Sequence, residues 1–321
     1  MIRYLARRLL QAVFVVWAAF TLSFLVLYLL PGDPVLIMAG GGQAGEAGAY
    51  SPEQVAELRH DYGFDRPLLT QYLDRLLHAV RGDFGRSVQT SSPAGRMVLD
   101  ALPNTLALTG AGLALAVLLG SAIGLLASLT RSEPLRRGLL ALPGLGVSLP
   151  SFWVGLMLLQ AFSFHWHLAP SLGGGGFAGL VLPALTLCLP ATAAVAQVLA
   201  TGMLDELGRP YADTARAKGA GRLRVHFRHA LRLASLPPIT ILAVLTGGML
   251  ANAVIVETVF ARDGVGRIVQ RAVSFQDIPV VQAVVVLSAV AFAVVNLLVD
   301  LFYPLLDPRT TAMREGAVRH V

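Results

Sequence analysis

Six long stretches of the chain contain no charged side chain and are dominated by Leu, Val, Ala and Gly. Polar segments that carry most of the arginines separate them. The shortest stretch has 18 residues, which extend about 27 Å as an α-helix at 1.5 Å per residue, close to the hydrocarbon thickness of a bilayer. We therefore predict six transmembrane helices. They cover residues 9–30, 106–129, 139–164, 179–204, 239–256 and 280–299.

A cleavable signal peptide is the alternative interpretation of the first of these stretches. Its apolar part is 22 residues long, which exceeds the usual signal-peptide core, and no small-x-small cleavage site follows it. Arg3, Arg7 and Arg8 precede it, and basic residues concentrate on the cytoplasmic side of membrane proteins. We predict a retained helix with a cytoplasmic N-terminus.

The distribution of charge supports this orientation for the whole chain. With six spans, both termini are cytoplasmic, and 16 of the 25 basic residues then fall inside. Acidic residues show the opposite bias, with twelve of 19 outside. The short loops agree with the positive-inside rule, which makes the predicted topology consistent.

Composition narrows the class of protein further. Of the 321 residues, 55% are hydrophobic and 14% are charged, values typical of a multi-pass membrane protein surrounded by lipid. The net charge is +6. The charged residues lie at the ends of the apolar stretches and form no continuous basic face, which argues against a nucleic-acid partner. Cys188 is the only cysteine, so an internal disulfide or a cysteine metal cluster is excluded.

Residues 31–103 form the longest polar region, which the topology places outside the cell membrane. Apolar side chains recur at helical spacing over residues 55–62 and 69–77, and Ser51 with Gln54 has the pattern of a capping box. We predict two amphipathic helices on the extracytoplasmic surface, after a flexible glycine-rich segment at 40–48. For residues 82–87, a packing turn is favoured over a ligand contact.

The charged segment at 205–238 lies between two apolar stretches and contains seven basic residues. Arg209-Pro210 predicts a helix start, because proline fits the first helical position. Gly219 predicts its end, because glycine readily adopts the left-handed conformation that closes many helices. The sequence thus predicts a short cytoplasmic helix at 211–218. By charge alone, an ordinary basic loop on the cytoplasmic side is the favoured interpretation of this segment.

The order of residues in this helix resembles a known family. Asp213-Thr214-Ala215, followed after three residues by Gly219, resembles the "EAA…G" signature of ABC importer permeases, whose helix docks on the ATPase subunit. Asp213 and Thr214 replace the usual Glu and Ala. His229 and Arg232 depart from the general family and agree better with its peptide branch. Residues 211–240 resemble the B-type dipeptide and oligopeptide permeases.

Further strings resemble the same branch and occur in the same order along the chain. Together they extend the resemblance over most of the chain, from Tyr4 to Arg309. The strings are residues 82–87, 256–260, 264–267, 277–282, 296–300 and 306–309.

The resemblance implies an all-α integral membrane protein with the type I ABC importer permease fold and an extracytoplasmic helical insertion after the first helix. It further implies a second homologous permease subunit, two ATPase subunits that bind ATP and Mg²⁺, and an extracytoplasmic substrate-binding protein. The implied substrate is a dipeptide or oligopeptide, with a nickel complex, heme or another small solute as the alternative. The implied ATPase-coupling residues are Tyr211, Asp213, Thr214, Ala215, Arg216, Ala217, Lys218 and Gly219.

The sequence contains no phosphate-binding G-x-x-x-x-G-K-[ST] loop and no nucleophile with an identifiable base, so we predict no catalytic residues. His165 and His167 flank Trp166 without nearby carboxylates or thiols, which favours an interfacial anchor over a metal site. A secondary transporter is a less favoured alternative, since it would carry charges at mid-membrane and an inverted repeat.

Four uncharged polar side chains lie within predicted spans: Gln160, Gln197, Asn252 and Asn296. Polar side chains are costly in contact with lipid, so they are candidates for the translocation path. For any one of them, a hydrogen bond between helices is the alternative. The predicted organisation is a first helix at 1–30, an extracytoplasmic region at 31–103, a permease core at 104–306 and a cytoplasmic tail at 307–321.

Overall fold

The described part of the chain is helical. A computed structural model describes residues 2–29, 65–170 and 176–306, with isolated residues at 51, 53, 56–57, 60 and 173. The helices are α1 (Ile2–Leu29), α2 (Leu68–Val80), α3 (Ala94–Leu129), α4 (Glu133–Ser148), α5 (Ser151–Leu158), a first π-helix (Leu159–His165), α6 (Ala178–Leu207), α7 (Pro210–Ala217), α8 (Arg222–Arg224), a second π-helix (Val225–Ala230), α9 (Leu231–Ala234), α10 (Leu236–Val259), α11 (Val265–Ser274) and α12 (Ile278–Leu306). This confirms the all-α prediction.

Four helical segments among the described residues are long and apolar enough to cross a membrane. They are Ala6–Val26, Ala94–Leu129, Ala178–Leu207 and Ile278–Val295. Two shorter apolar helical segments, Ser151–His165 and Val244–Val259, accompany them. The four long segments overlap the predicted spans at 9–30, 106–129, 179–204 and 280–299, and the two shorter ones overlap those at 139–164 and 239–256.

The predicted span at 139–164 is interrupted at Pro150, one of the prolines that predict breaks in the middle helices. The chain leaves helical geometry after Ser148, where Leu149 is extended with φ −98° and ψ 136°. The physical reason is Pro150, since proline disfavours the helical conformation of the residue before it. A new helix then begins at Ser151.

Helix α3 begins earlier than predicted, at Ala94, and continues through Pro103 to Leu129. It therefore crosses the predicted boundary between residues 103 and 104. The chain divides into two compact units. The first comprises Met1–Thr105 with Asp263–Leu297, and the second comprises Leu106–Arg262 with Leu298–Val321.

In the first unit, α1 packs against α2 through aromatic rings. Phe20 and Phe24 are almost fully buried, and the ring of Tyr72 lies 5.7 Å and 5.3 Å from theirs. The Tyr72 hydroxyl also lies 2.9 Å from the Thr21 hydroxyl. Helix α2 confirms the amphipathic helix predicted at 69–77. The predictions at 40–48 and 55–62 fall largely or wholly outside the described residues.

A buried hydrogen bond ties the segment before α3 to the start of α12. Ser87 Oγ donates to Asp277 Oδ2 at 2.5 Å, and both residues are buried. Gly82 and Gly85 have φ values of +80° and +84°, which glycine adopts without strain. These contacts agree with a packing turn at 82–87.

Removing this hydroxyl should destabilise the first unit. We expect Ser87→Ala to cost about 1–3 kcal/mol, because the buried Asp277 carboxylate loses a donor. Thermal unfolding of the purified protein measures this change as a lower midpoint. Ser92→Ala is the matched control, since the exposed Ser92 hydroxyl makes only a 3.4 Å contact with Thr90 O. Equal midpoints for the two variants would contradict the expectation.

In the second unit, α3 and α6 approach closely where both present small residues. A Cβ on Gly120 would lie 2.8 Å from Val195 Cβ and 2.9 Å from Thr192 O. One on Gly124 would lie 3.0 Å from Ala196 O. Small residues four positions apart let membrane helices pack with their backbones close together. This contact fixes α3 against α6, whose end leads into the candidate site.

Candidate functional site

Helix α7 begins as the sequence predicts. Arg209 is extended, with φ −79° and ψ 150°, and Pro210 occupies the first helical position. Proline is suited to that position because its missing N–H would have no partner within the helix. The observed helix, Pro210–Ala217, is shifted by one residue from the predicted 211–218.

The end of α7 is fixed by two backbone hydrogen bonds. Gly219 has φ +83°, its N–H donates to Arg216 O at 2.9 Å, and Ala220 N–H donates to Ala215 O at 3.0 Å. This pair of bonds is a Schellman motif, which satisfies the last carbonyls of the helix. The predicted stop at Gly219 is confirmed.

Helix α7 has one face packed against the protein and one exposed face. Ala212 is fully buried, and Tyr211 and Ala215 are half-buried. Helix α7 therefore projects a polar surface while its apolar side holds it in place. The remaining predicted coupling residues are exposed: Asp213, Thr214, Arg216, Ala217, Lys218 and Gly219.

Tyr211 connects α7 to the end of α6. Its hydroxyl donates to Glu206 Oε2 at 2.8 Å, while Arg209 Nη2 lies 3.1 Å from Glu206 Oε1. Burial and the hydrogen bond to the negatively charged Glu206 together raise the pKa of Tyr211 to about 12. The phenol therefore stays protonated, and keeps this bond, throughout the physiological pH range.

Arg216 forms a second connection between α7 and α6. Its Nη1 lies 2.7 Å from Asp213 Oδ1, and its Nη2 donates to Leu207 O at 3.2 Å. The ion pair is exposed and contributes little stability by itself. Its effect is to orient the guanidinium towards the last carbonyls of α6, where a cation interacts favourably with the helix dipole.

The segment after α7 is anchored in the same region. Arg222 donates to Leu129 O at the end of α3. The buried His226 ring places Nδ1 2.9 Å from Arg222 O and Nε2 3.3 Å from Ser128 O. His226 was not predicted as a site residue, because its position next to the apolar Val225 gives no sign of these distant partners. The coupling segment, defined here as residues 205–238, is thus bonded to the ends of both α3 and α6.

The four polar residues predicted to line a path are not brought together by any described contact. Gln160 lies on the first π-helix, Gln197 on α6 and Asn252 on α10, and all three are exposed in this chain. Asn252 Nδ2 also donates to Gly248 O at 3.1 Å within its own helix. Asn296 lies in α12, and its side chain is outside the described residues.

His165 and Trp166 lie next to each other at the end of the first π-helix. Trp166 packs edge-on against Phe162 at 5.1 Å, and its ring lies 6.2 Å from that of His165. Among the described residues, no group of three His, Cys, Asp or Glu side chains could hold a metal ion.

Two family models match this chain. The model described as the binding-protein-dependent transport system inner membrane component matches residues 116–312. The N-terminal model of the same transport-system membrane components matches residues 1–109. The second match covers α1 and α2, and the first includes the coupling segment.

Curated relatives resemble the chain over almost its full length. The dipeptide transport system permease protein DppB of Escherichia coli K12 is 34% identical over 340 residues, covering 96% of this chain and 98% of that protein. The glutathione transport system permease protein GsiC of Salmonella typhimurium is 35% identical over 309 residues, with the same coverage of each chain.

The fold also resembles a solved structure. A chain from inward-facing crystals of the MetNI methionine ABC transporter aligns with a TM-score of 0.55 and 17% identity. The alignment covers 65% of this chain and 96% of that one. At this identity, the likeness concerns the fold alone.

Proposed function

The chain belongs to the family of inner membrane components of binding-protein-dependent transport systems, and we propose that it forms part of the pathway by which dipeptides or oligopeptides enter the cell. As a member of this family, it is a multi-pass permease of the bacterial plasma membrane and belongs to an ABC importer; it is not an enzyme. Peptide transport is supported by the relatives DppB and GsiC, whose names specify a dipeptide and glutathione. A nickel complex, heme or another small solute is the alternative cargo.

The observation that carries the proposal is the construction of α7. A short helix with an exposed polar face is held by Tyr211, Arg216 and its buried Ala212 to the rest of the second unit. A helix fixed in this way moves with the bundle as a rigid lever, whereas a loose loop would dissipate the motion. We infer that α7 docks on a separate ATPase subunit and transmits the movement caused by ATP binding.

The proposed membrane arrangement has six spans, with both termini in the cytoplasm. Residues 31–103 then form an extracytoplasmic region, residues 104–306 the permease core and residues 307–321 a cytoplasmic tail. Support comes from the asymmetry of basic residues and from the two shorter apolar segments, which accompany the four long ones. α7 then faces the cytoplasm, where ATP is available.

The proposed assembly contains a second homologous permease, two ATPase subunits and an extracytoplasmic binding protein. ATP and Mg²⁺ are bound by the ATPase subunits. Gln160, Gln197 and Asn252 are exposed polar groups on membrane helices, and we propose that they line the path together with Asn296. Contact with water and cargo there avoids the cost of facing lipid.

A reconstituted importer tests this proposal. We expect liposomes containing the purified assembly, with ATP on the α7 side and binding protein on the other, to accumulate a labelled dipeptide. The matched control carries an inactive ATPase subunit and should accumulate none. Uptake by this polypeptide alone, or uptake driven by a proton gradient without ATP, would contradict the coupling proposal. If a nickel complex competes with the labelled dipeptide for uptake and no peptide does, only the proposed cargo is wrong, and the coupling proposal stands.

A further inference from the structure

A cavity of about 380 Å³ lies in the second unit, at the ends of α3 and α6. Its volume falls within the range of about 300–1,000 Å³ that is typical of small-molecule sites. Its polar lining consists of hydrogen-bond donors and hydroxyl groups, without a carboxylate. The polar residues are Ser128, Thr130, Arg136, Arg216, Arg222 and His226.

The three guanidinium groups bring an excess of positive charge into this space. Arg136 and Arg216 are paired with Glu133 and Asp213, whose carboxylates do not line the cavity. Arg222 donates to the backbone carbonyl of Leu129, which carries no net charge. The positive charges repel one another, and an anion between them would relieve this repulsion and be attracted to them.

These arginines lie where they cap helix ends, but capping does not use all of their N–H donors. A guanidinium has five N–H groups, and the bond from Arg222 to Leu129 O uses one. The planar arrangement of the remaining donors matches the oxygens of a phosphate group, which arginine binds in a bidentate manner. The Thr130 hydroxyl can contribute one further hydrogen bond from the end of α3. The cavity is therefore built for a phosphate rather than for a neutral ligand.

The surroundings of the cavity indicate a phosphate that carries acyl chains. Leu126, Leu135 and Leu223 lie within two residues of cavity-lining residues and are 54%, 55% and 63% exposed. The cavity also lies where two membrane-spanning helices end, which is the depth of phospholipid headgroups. Basic pockets at such helix ends bind anionic headgroups.

We propose that this cavity binds the phosphate headgroup of an anionic phospholipid. The bound headgroup bridges Arg136 at the start of α4, Arg216 on α7 and Arg222, and so links the coupling segment to the lipid bilayer. A zwitterionic lipid binds less tightly, because its ammonium group meets the same excess of positive charge. The inference does not depend on the cargo that the importer carries.

Lipid binding by the complete purified importer tests this inference. We expect native mass spectrometry in detergent to show phosphatidylglycerol bound at least ~10-fold more tightly than phosphatidylcholine, since charge-assisted hydrogen bonds dominate the site. Arg222→Gln should weaken phosphatidylglycerol binding by about tenfold. Arg222→Lys should weaken it by less, because lysine keeps the positive charge but loses the planar, bidentate donors of the guanidinium. The matched control is Arg131→Gln, an exposed arginine beside Thr130 that does not line the cavity, and it should bind as the unmodified protein does.

Three results would overturn the inference. Equal binding of phosphatidylglycerol and phosphatidylcholine, measured on the unmodified protein, would remove the preference for an anionic headgroup without requiring any variant to fold. An equal loss in Arg222→Gln and Arg131→Gln would assign the binding to general surface charge. Complete displacement of phosphatidylglycerol by inorganic phosphate would identify a site for soluble anions.

Discussion

Gly120→Leu should prevent the second unit from reaching its stable fold. A Cβ at this position would lie 2.8 Å from Val195 Cβ and 2.9 Å from Thr192 O, and the second of these atoms is backbone that cannot move aside. Leucine adds further atoms in the same direction, so α3 and α6 must separate. Overpacking costs about 1–3 kcal/mol even where side chains can adjust, and a backbone obstacle raises that cost. We expect the variant to be degraded or to aggregate when extracted in detergent.

Gly110→Leu is the matched control on the same helix. A Cβ on Gly110 would meet no atom within 4 Å, and replacing a helical glycine with a better helix former stabilises a helix by up to about 1 kcal/mol. Size-exclusion chromatography of the extracted protein should show a single folded species for Gly110→Leu and not for Gly120→Leu. A monodisperse Gly120→Leu protein with an unchanged unfolding midpoint would show that α3 and α6 are not in close contact.

Gly219→Val should uncouple ATP hydrolysis from uptake. Gly219 has φ +83°, and an added Cβ would meet nothing within 4 Å, so the effect arises from backbone strain and not from a clash. The left-handed conformation costs a residue with a Cβ about 1–2 kcal/mol, and β-branching increases the cost. The Schellman motif is then weakened, and the equilibrium constant for holding α7 in its observed position falls about tenfold.

The measurement compares ATP hydrolysis and uptake in the same reconstituted importer. We expect Gly219→Val to retain membrane insertion and ATPase activity while uptake falls by up to about tenfold, as the observed position of α7 is destabilised. Gly219→Asn is the control, because asparagine tolerates the left-handed conformation. Uptake at the normal level in Gly219→Val, with the ATPase subunit still bound, would disprove the lever role of α7.

The local features of α7 could be predicted because they depend on neighbouring residues. Pro210 starts the helix and Gly219 ends it through conformational preferences that act within a few residues. Pro150 is a further local signal, and the break that it predicts in the apolar run at 139–164 is present at Leu149.

Other features depend on residues that are distant in the sequence and could not be predicted locally. Gly120 and Gly124 carry a recognisable small-residue spacing, but their partners on α6 were unknown. Ser87 donates a hydrogen bond to Asp277, which lies 190 residues later in the sequence. The His226 ring lies at hydrogen-bonding distance from Ser128 O, 98 residues earlier in the sequence. No property of a serine or histidine in a short sequence window indicates such a partner.

The membrane class of the protein, its apolar segments, and the start and end of α7 follow from the order of the residues alone. Hydrophobic length and backbone preference are properties of contiguous residues, so they can be recognised without the fold. The attachment of the coupling segment to the ends of α3 and α6 is seen only in the folded chain. The same is true of the cavity that three arginines line. Those contacts arise when packing brings together residues that the chain keeps far apart.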